Sequence, residues 1–260
     1  MKMYIPPEAE EYKADILRLI ESKITGHIRP NKKKLTYKSD QYIFRMFKDA
    51  KKSFNTILKL YQDNMPVEQP LLLIDKGLPV KIMVTKYIEG QNYEEIISTQ
   101  DDFTNEMETL GDTLYKFHSN GYILQDSHIG NFIYDGVNAQ RIDVNNIHKQ
   151  YPKHFWKQEN ENLLLNSIIE IRDCIILILA QNLIINNKEY AFETHLDAFI
   201  DGYHKKNENS SYLITSASKR CIEPIKKIMK SANGNYSQFV ESYMKQVIKN
   251  DITQCTRFKK

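Results

Sequence analysis

Apolar residues recur along this chain with two different periods, and the change of period near Gly90 divides it. Before that point short alternating runs dominate. A first helix, entered through Pro6 and Pro7, gathers Tyr12, Ile16, Leu19 and Ile20 on one face. "KKLTYKS" and "QYIFRMF" follow as two strands, the second placing Ile43, Arg45 and Phe47 on a common face by its period of two. "AKKSFNTILKLYQD" returns to helical spacing at Phe54, Ile57, Leu58 and Tyr61. "QPLLLIDKG" and "VKIMVTKYIEG" then predict two more strands joined by a turn from Gly77 to Pro79. Strands, helix and strands again describe a small mixed unit ending near Gly90.

Beyond Gly90 the period becomes helical. In "FTNEMETLGDTLYKFHSNG" the residues Phe103, Met107, Leu110, Leu114 and Phe117 form one stripe, and Gly121 supplies a C-terminal cap. "NFIYDG" and "QRIDV" are short apolar runs around Asp135 and Gly136, which predicts a hairpin. "SIIEIRDCIILILAQNLII", from Ser167 to Ile185, is interrupted by Glu170, Arg172 and Asp173, so its apolar run is too short to span a bilayer and reads as a buried core helix.

Composition changes this picture little. The 260 residues, 41% hydrophobic, suffice for one large domain or two small lobes with a sizeable core. The net charge of +3 is uneven, with twelve Lys or Arg against five Asp or Glu from Asp201 onward. Such a segment reads first as a solvated face. Tyr212, Tyr236, Phe239 and Tyr243 accompany it without a stacking motif, so no nucleic-acid partner is expected. Cys174, Cys221 and Cys255, odd in number and far apart, fit neither a disulfide framework nor a metal knuckle, and a reducing, cytoplasmic setting is the default. The opening residues lack the apolar core of a signal peptide.

Chemistry concentrates in "YILQDSHIGNFIYDGVNAQRIDV", residues 122 to 144. Asp126 and Asn131 fall on the loop before the hairpin, and Asp143 on its exit, so the three can meet. One reading is a magnesium-nucleotide site, in which a carboxylate orients a hydroxyl while hard oxygen donors hold the cation. The other is that Asp and Asn simply populate turns. His128 lies between them, either as a structural hydrogen-bonding group or as a substrate contact.

The D-x-x-x-x-N spacing of Asp126 and Asn131, with Asp143 after a hairpin, resembles the protein-kinase-like superfamily. "KFHSNGYILQDSHIGNFIYDG", "RIDV" and "MVTKYIEG" are more closely similar to the bacterial lipopolysaccharide core kinases, particularly the heptose kinases, whose loop reads G-D-x-H-x-G-N. The order of elements matches over roughly residues 38 to 185, and the motifs over 83 to 144. The resemblance implies an α+β, bilobal protein-kinase-like fold, with a β-rich N-terminal lobe over residues 1–90 and a helical C-terminal lobe over 91–260. It implies ATP and Mg2+, with Asp126 as the catalytic base and Asn131 and Asp143 as metal ligands. The adenine would lie on the backbone of Lys86 to Ile88, with Thr85 on the back wall. Asp173 would hold the catalytic-loop backbone from below. The acceptor would be a hydroxyl of a saccharide or glycolipid, handled by a cytoplasmic protein peripheral to the inner membrane.

Four departures stand beside these matches. Arg45 occupies the place of the phosphate-binding strand lysine, with Lys48 three residues on as the other candidate. The helix after it contains no glutamate to pair with either, no glycine-rich loop precedes the strand, and Asn145 replaces the glycine after the metal-binding aspartate. They keep open a pseudokinase that binds without catalysing, and a protein Ser/Thr kinase would use the same core.

Overall fold

Alternating apolar residues on either side of Asp40 and Gln41 fold this part of the chain into a tight antiparallel hairpin, in which Ser39 faces Tyr42. Asp40 makes the turn with a left-handed backbone (φ 51°), a region that Asp tolerates better than most residues. The computed structural model describes residues 2–24, 34–75, 81–124, 128–143, 147–149, 170–204, 225–231, 235 and 237–239. These belong to two units, Met1–Gly90 with Gln140–Ile147, and Gln91–Ala139 with His148–Lys260. Asp126, the turn from Gly77 to Pro79, Asn145, Cys221, Cys255, Tyr212, Tyr236 and Tyr243 lie outside the described residues.

The first unit is built on an antiparallel sheet of β1 (Lys2–Tyr4), β2 (Lys34–Ser39), β3 (Tyr42–Phe47), β4 (Pro70–Asp75) and β5 (Lys81–Lys86), ordered β1-β4-β5-β3-β2. Its period of two divides the side chains between two faces. Tyr42, Phe44 and Met46 of β3 with Ile82 and Val84 of β5 pack against Ala9, Ile16, Leu19 and Ile20. These last four come from a 3-10 turn at Pro7–Tyr12, from helix α1 (Lys13–Leu19) and from the residue after it. The opposite face carries Arg45, Phe47, Met83 and Thr85. Helix α2 (Ala50–Gln62) lies there, burying Phe54, Ile57, Leu58 and Leu60 while Lys51, Lys52, Asn55 and Lys59 stay exposed. Each large apolar side chain so buried contributes about 1.5–3 kcal/mol. β1 was not expected from sequence; it pairs with β4, and three exposed residues are too few to show alternation.

The second unit is mainly helical: α3 (Tyr93–Thr99), α4 (Thr104–Ser119), α5 (Leu177–Ile185) and α6 (Phe192–His204). Short strands β6 (Gln91–Asn92), β7 (Tyr122–Leu124), β8 (Phe132–Tyr134), β9 (Ala139–Arg141) and β10 (Ile147–Lys149) lie between α2 and α5 in the sequence. α4 and α6 pack closely because two glycines let their backbones touch. A Cβ on Gly111 would lie 2.1 Å from the Phe199 carbonyl oxygen, and one on Gly202 would lie 1.9 Å from that of Glu108. Gly121, with φ 77°, ends α4 as its sequence predicts, and its N–H bonds to the His118 carbonyl. The expected core helix is divided into a π-helical stretch at Ile171–Ile176 and α5, and buries Ile171, Ile175, Leu179, Ala180 and Leu183. Among the described residues no helix is long and apolar enough to cross a membrane.

Side chains complete the helix ends in this unit. Lys188 Nζ donates to the carbonyls of Ile97, Ser98 and Gln100, where α3 runs out of internal partners. Ahead of α4, His195 Nε2 accepts the Phe103 N–H at 3.0 Å, while Nδ1 donates to the Ala191 carbonyl at 2.7 Å. Asp102 Oδ1 accepts from the Thr104 N–H and hydroxyl, which holds its carboxyl below the usual range.

Candidate active site

In the first unit, the strand period turns Arg45 into the space between the sheet and α2. Its guanidinium is nearly buried, and a charge there needs a partner. Glu68 supplies it. Arg45 Nη1 donates to both Glu68 oxygens, at 2.8 and 2.7 Å, and to Thr85 Oγ1 at 3.1 Å. The Thr85 hydroxyl in turn donates to Glu68 Oε2 at 2.7 Å, closing a buried triangle. The glutamate sought in α2 therefore comes from the segment between α2 and β4. At the corresponding face α2 presents Ser53 and Ile57, one turn apart.

The chain brings Asp143 to the same place by a backbone route. Val67 bridges Arg141 in parallel, the Arg141 N–H donates to the Pro66 carbonyl at 2.8 Å, and the Glu68 N–H donates to the Arg141 carbonyl at 3.4 Å. Two residues later Asp143, half-buried and with a left-handed backbone (φ 55°), lines one small cavity with Arg45, Phe47, Ser53, Ile57, Glu68 and Met83. Lys48 is exposed, one residue past β3.

The strand that carries Thr85 runs on through Lys86 into Tyr87 and Ile88. Thr85 is fully buried and engaged with Glu68 and Arg45. The Lys86 N–H bonds to the Gln69 carbonyl and the Tyr87 N–H to the Gln41 carbonyl. Of these three residues, Ile88 alone has an N–H without such a bond among the described residues.

In the second unit the 3-10 turn Ile129–Asn131 ends on half-buried Asn131, whose N–H donates to the His128 carbonyl at 2.8 Å. His128 has both ring nitrogens engaged: Nδ1 accepts the Gly130 N–H at 3.0 Å, and Nε2 lies 3.2 Å from Glu94 Oε1. Asn92 Nδ2 donates to the Gly130 carbonyl, while its Oδ1 caps α3 through the Glu94 N–H. His128 is thus a structural hydrogen-bonding group here.

Below the loop, Glu170 Oε2 accepts the Leu124 N–H at 3.0 Å and lies 3.1 Å from His118 Nε2. His118 Nδ1 is 2.7 Å from the Tyr203 hydroxyl. A carboxylate oxygen only accepts, so in the neutral ring Nε2 carries the proton toward Glu170 and Nδ1 accepts from the Tyr203 hydroxyl, whose phenol burial, with Glu170 nearby, pushes well up. The other oxygen, Glu170 Oε1, is buried without a hydrogen-bond partner among the described residues. Glu170 thus holds the backbone just before Asp126, the kind of contact expected of Asp173, whose side chain lies outside the described residues.

Sequence reasoning missed Glu68 and Glu170 as partners. A signal existed for each: an acidic residue two positions before the apolar run "PLLLI", and one interrupting the apolar run from Ser167. As for magnesium, the described residues contain no group of three or more His, Cys, Asp or Glu able to hold an ion alone. Asp143 and Asn131 nonetheless offer hard oxygen donors, and Mg2+ characteristically takes one or two carboxylates and completes its shell with phosphates and water. Their chemistry fits that cation.

Two solved structures are similar at 10% identity: WaaP in complex with acyl carrier protein, over 86% of this chain and 99% of that one (TM-score 0.49), and the bifunctional kinase-methyltransferase WbdD, over 84% and 51% (TM-score 0.43). No curated protein matches. The family model described as lipopolysaccharide core biosynthesis protein (WaaY) matches residues 10–166, more than half of the chain. The chain belongs to the WaaY family of lipopolysaccharide core biosynthesis proteins.

Proposed function

We propose that this protein is a Mg-ATP-dependent kinase that transfers the γ-phosphate to a hydroxyl of a lipopolysaccharide core saccharide. The observation that carries this reading is the buried Arg45, Glu68 and Thr85 triangle beside Asp143: a fixed guanidinium and a carboxylate lining one small cavity. In the proposal Arg45 steadies the phosphates, its geometry set by Glu68, and Lys48 is the lesser candidate for that contact. Asn131 and Asp143 hold Mg2+, which would neutralise charge on the phosphates. Asp126 orients the acceptor hydroxyl and takes its proton as the oxygen bonds to phosphorus and ADP leaves. Lys86 to Ile88 receive the adenine, with Ile88 as the amide donor and Thr85 behind. The acceptor is a membrane glycolipid in this reading, which supports a cytoplasmic protein working at the periphery of the inner membrane.

The replacement of lysine by Arg45 favours a second reading, a binding protein with little catalysis. One experiment separates the two. Purified protein is incubated with labelled ATP, Mg2+ and de-O-acylated lipopolysaccharide, and the saccharide is examined for label. Transfer that disappears in Asp143→Ala supports the kinase; Mg-ATP binding without transfer to glycan, lipid or protein supports the binding protein.

A further inference from the structure

We infer that Glu94 and Asn92, at the start of α3, are positioning residues that fix Asn131 for metal binding, an assignment that rests on the kinase reading above. Asn131 follows Gly130, and the peptide groups around Gly130 are held from two sides. Its N–H is taken by His128 Nδ1 and its carbonyl by Asn92 Nδ2, while the Asn131 N–H returns to the His128 carbonyl. Accepting from Gly130 requires a lone pair on Nδ1, so in the neutral ring the proton resides on Nε2. Glu94 Oε1, 3.2 Å from Nε2, is the acceptor for that proton and thereby selects the tautomer. Glu94 also packs over the bare Cα of Gly130: a Cβ there would lie 2.8 Å from Glu94 Cδ and 2.8 Å from His128 Nδ1.

Fold stability does not account for the Glu94–His128 contact. The Glu94 and His128 side chains are 45% and 41% exposed, and pairs that exposed are worth about 0–1 kcal/mol. Precision does account for it. A metal ligand is only as well placed as the groups that orient it, and removing such a supporting partner typically costs about 10–100-fold in metal affinity.

The test uses the full chain with Mn2+ in place of Mg2+, titrated in the presence of ATP and followed by electron paramagnetic resonance. Hydrogen exchange over residues 128–132 is read alongside. Glu94→Ala is expected to weaken Mn2+ binding by about tenfold and to speed exchange in that segment. Glu94→Gln keeps an oxygen acceptor for Nε2 and is expected to stay close to the parent in both. The acceptor KM is expected to remain unchanged in each variant. A raised acceptor KM with parental Mn2+ affinity in Glu94→Ala overturns the assignment in favour of a direct acceptor contact. A Gln variant as impaired as Ala overturns it as well. Parental Mn-ATP binding with no change in Glu94→Ala sinks this inference alone, whereas a parent chain that binds no Mn-ATP sinks the kinase reading beneath it.

Discussion

Glu68 meets Arg45 from outside α2, with both carboxylate oxygens within 2.8 Å of one guanidinium nitrogen. The pair is almost wholly withdrawn from water, with side chains 11% and 2% exposed. Removing one member leaves the other charged and unpaired, which typically costs about 3–5 kcal/mol. Glu68→Ala is therefore expected to lower unfolding free energy by about that amount, measured by urea denaturation. The double variant Arg45→Met with Glu68→Leu is expected to lose less than either single change, because no buried charge remains. Additive losses would show that the pairing is not what stabilises this place.

Nucleotide affinity separates Arg45 from Lys48. Arg45 faces the cavity that Asp143 lines, while Lys48 is exposed beyond β3. Calorimetric titration with Mg-ATP is expected to show a large loss in Arg45→Ala and near-parental binding in Lys48→Ala. The reverse pattern would move the phosphate contact to Lys48.

Asp126→Asn keeps the shape of the side chain but cannot accept a proton. Phosphate transfer to lipopolysaccharide core is expected to fall by about a hundred- to ten-thousand-fold, with Mg-ATP affinity largely kept. Full transfer in this variant would remove Asp126 from the chemical step.

Acid should act at the start of α4. Hydrogen bonds from the Thr104 N–H, then from its hydroxyl, lower the Asp102 pKa in the folded state. A depressed folded pKa contributes stability above the unfolded value of about 3.9, and that stability is lost as pH falls through the folded value. Asp102→Ala is expected to lower the urea midpoint at neutral pH, and the gap from the parent should close as pH falls below about 4. A gap that persists in acid would mean that the ionised carboxylate is not the stabilising species.

Two glycines should differ for steric reasons. Gly202→Ala sets a methyl against the Glu108 backbone, which neither helix can yield without separating, and is expected to cost about 3 kcal/mol or more. Gly136 has φ 95° in open space, so Gly136→Ala carries only backbone strain, about 1–2 kcal/mol. Thermal unfolding of the two variants checks the order.

The sequence made some of these features legible because their physics is local. The stripe of α4, the glycine that ends it and the hairpin around Asp135 each follow from a few neighbouring residues. Asp135 Oδ1 accepts from the Val137 and Asn138 N–H groups within its own turn. The family was legible too, through the loop and the segment before Gly90. The partners of Arg45 and of the Leu124 N–H were not. Glu68 lies 23 positions from Arg45, and Glu170 lies 46 from Leu124, and no periodicity encodes which distant carboxylate a buried donor will find. A buried Arg45 needs a partner of opposite charge. The adjacent helix supplies none, because α2 turns Ser53 and Ile57 toward it.

The parallel bridge between Val67 and Arg141 makes the sheet-bearing unit discontinuous in the gene. A fragment ending at Gly90 would carry all five strands yet lack the stretch that satisfies the Pro66 carbonyl and the Glu68 N–H, and it would lack Asp143 altogether. Joining that fragment to residues 140–147 through a flexible Gly-Ser connector restores both. Any test of the proposed nucleotide contact on this half of the protein alone depends on that splice.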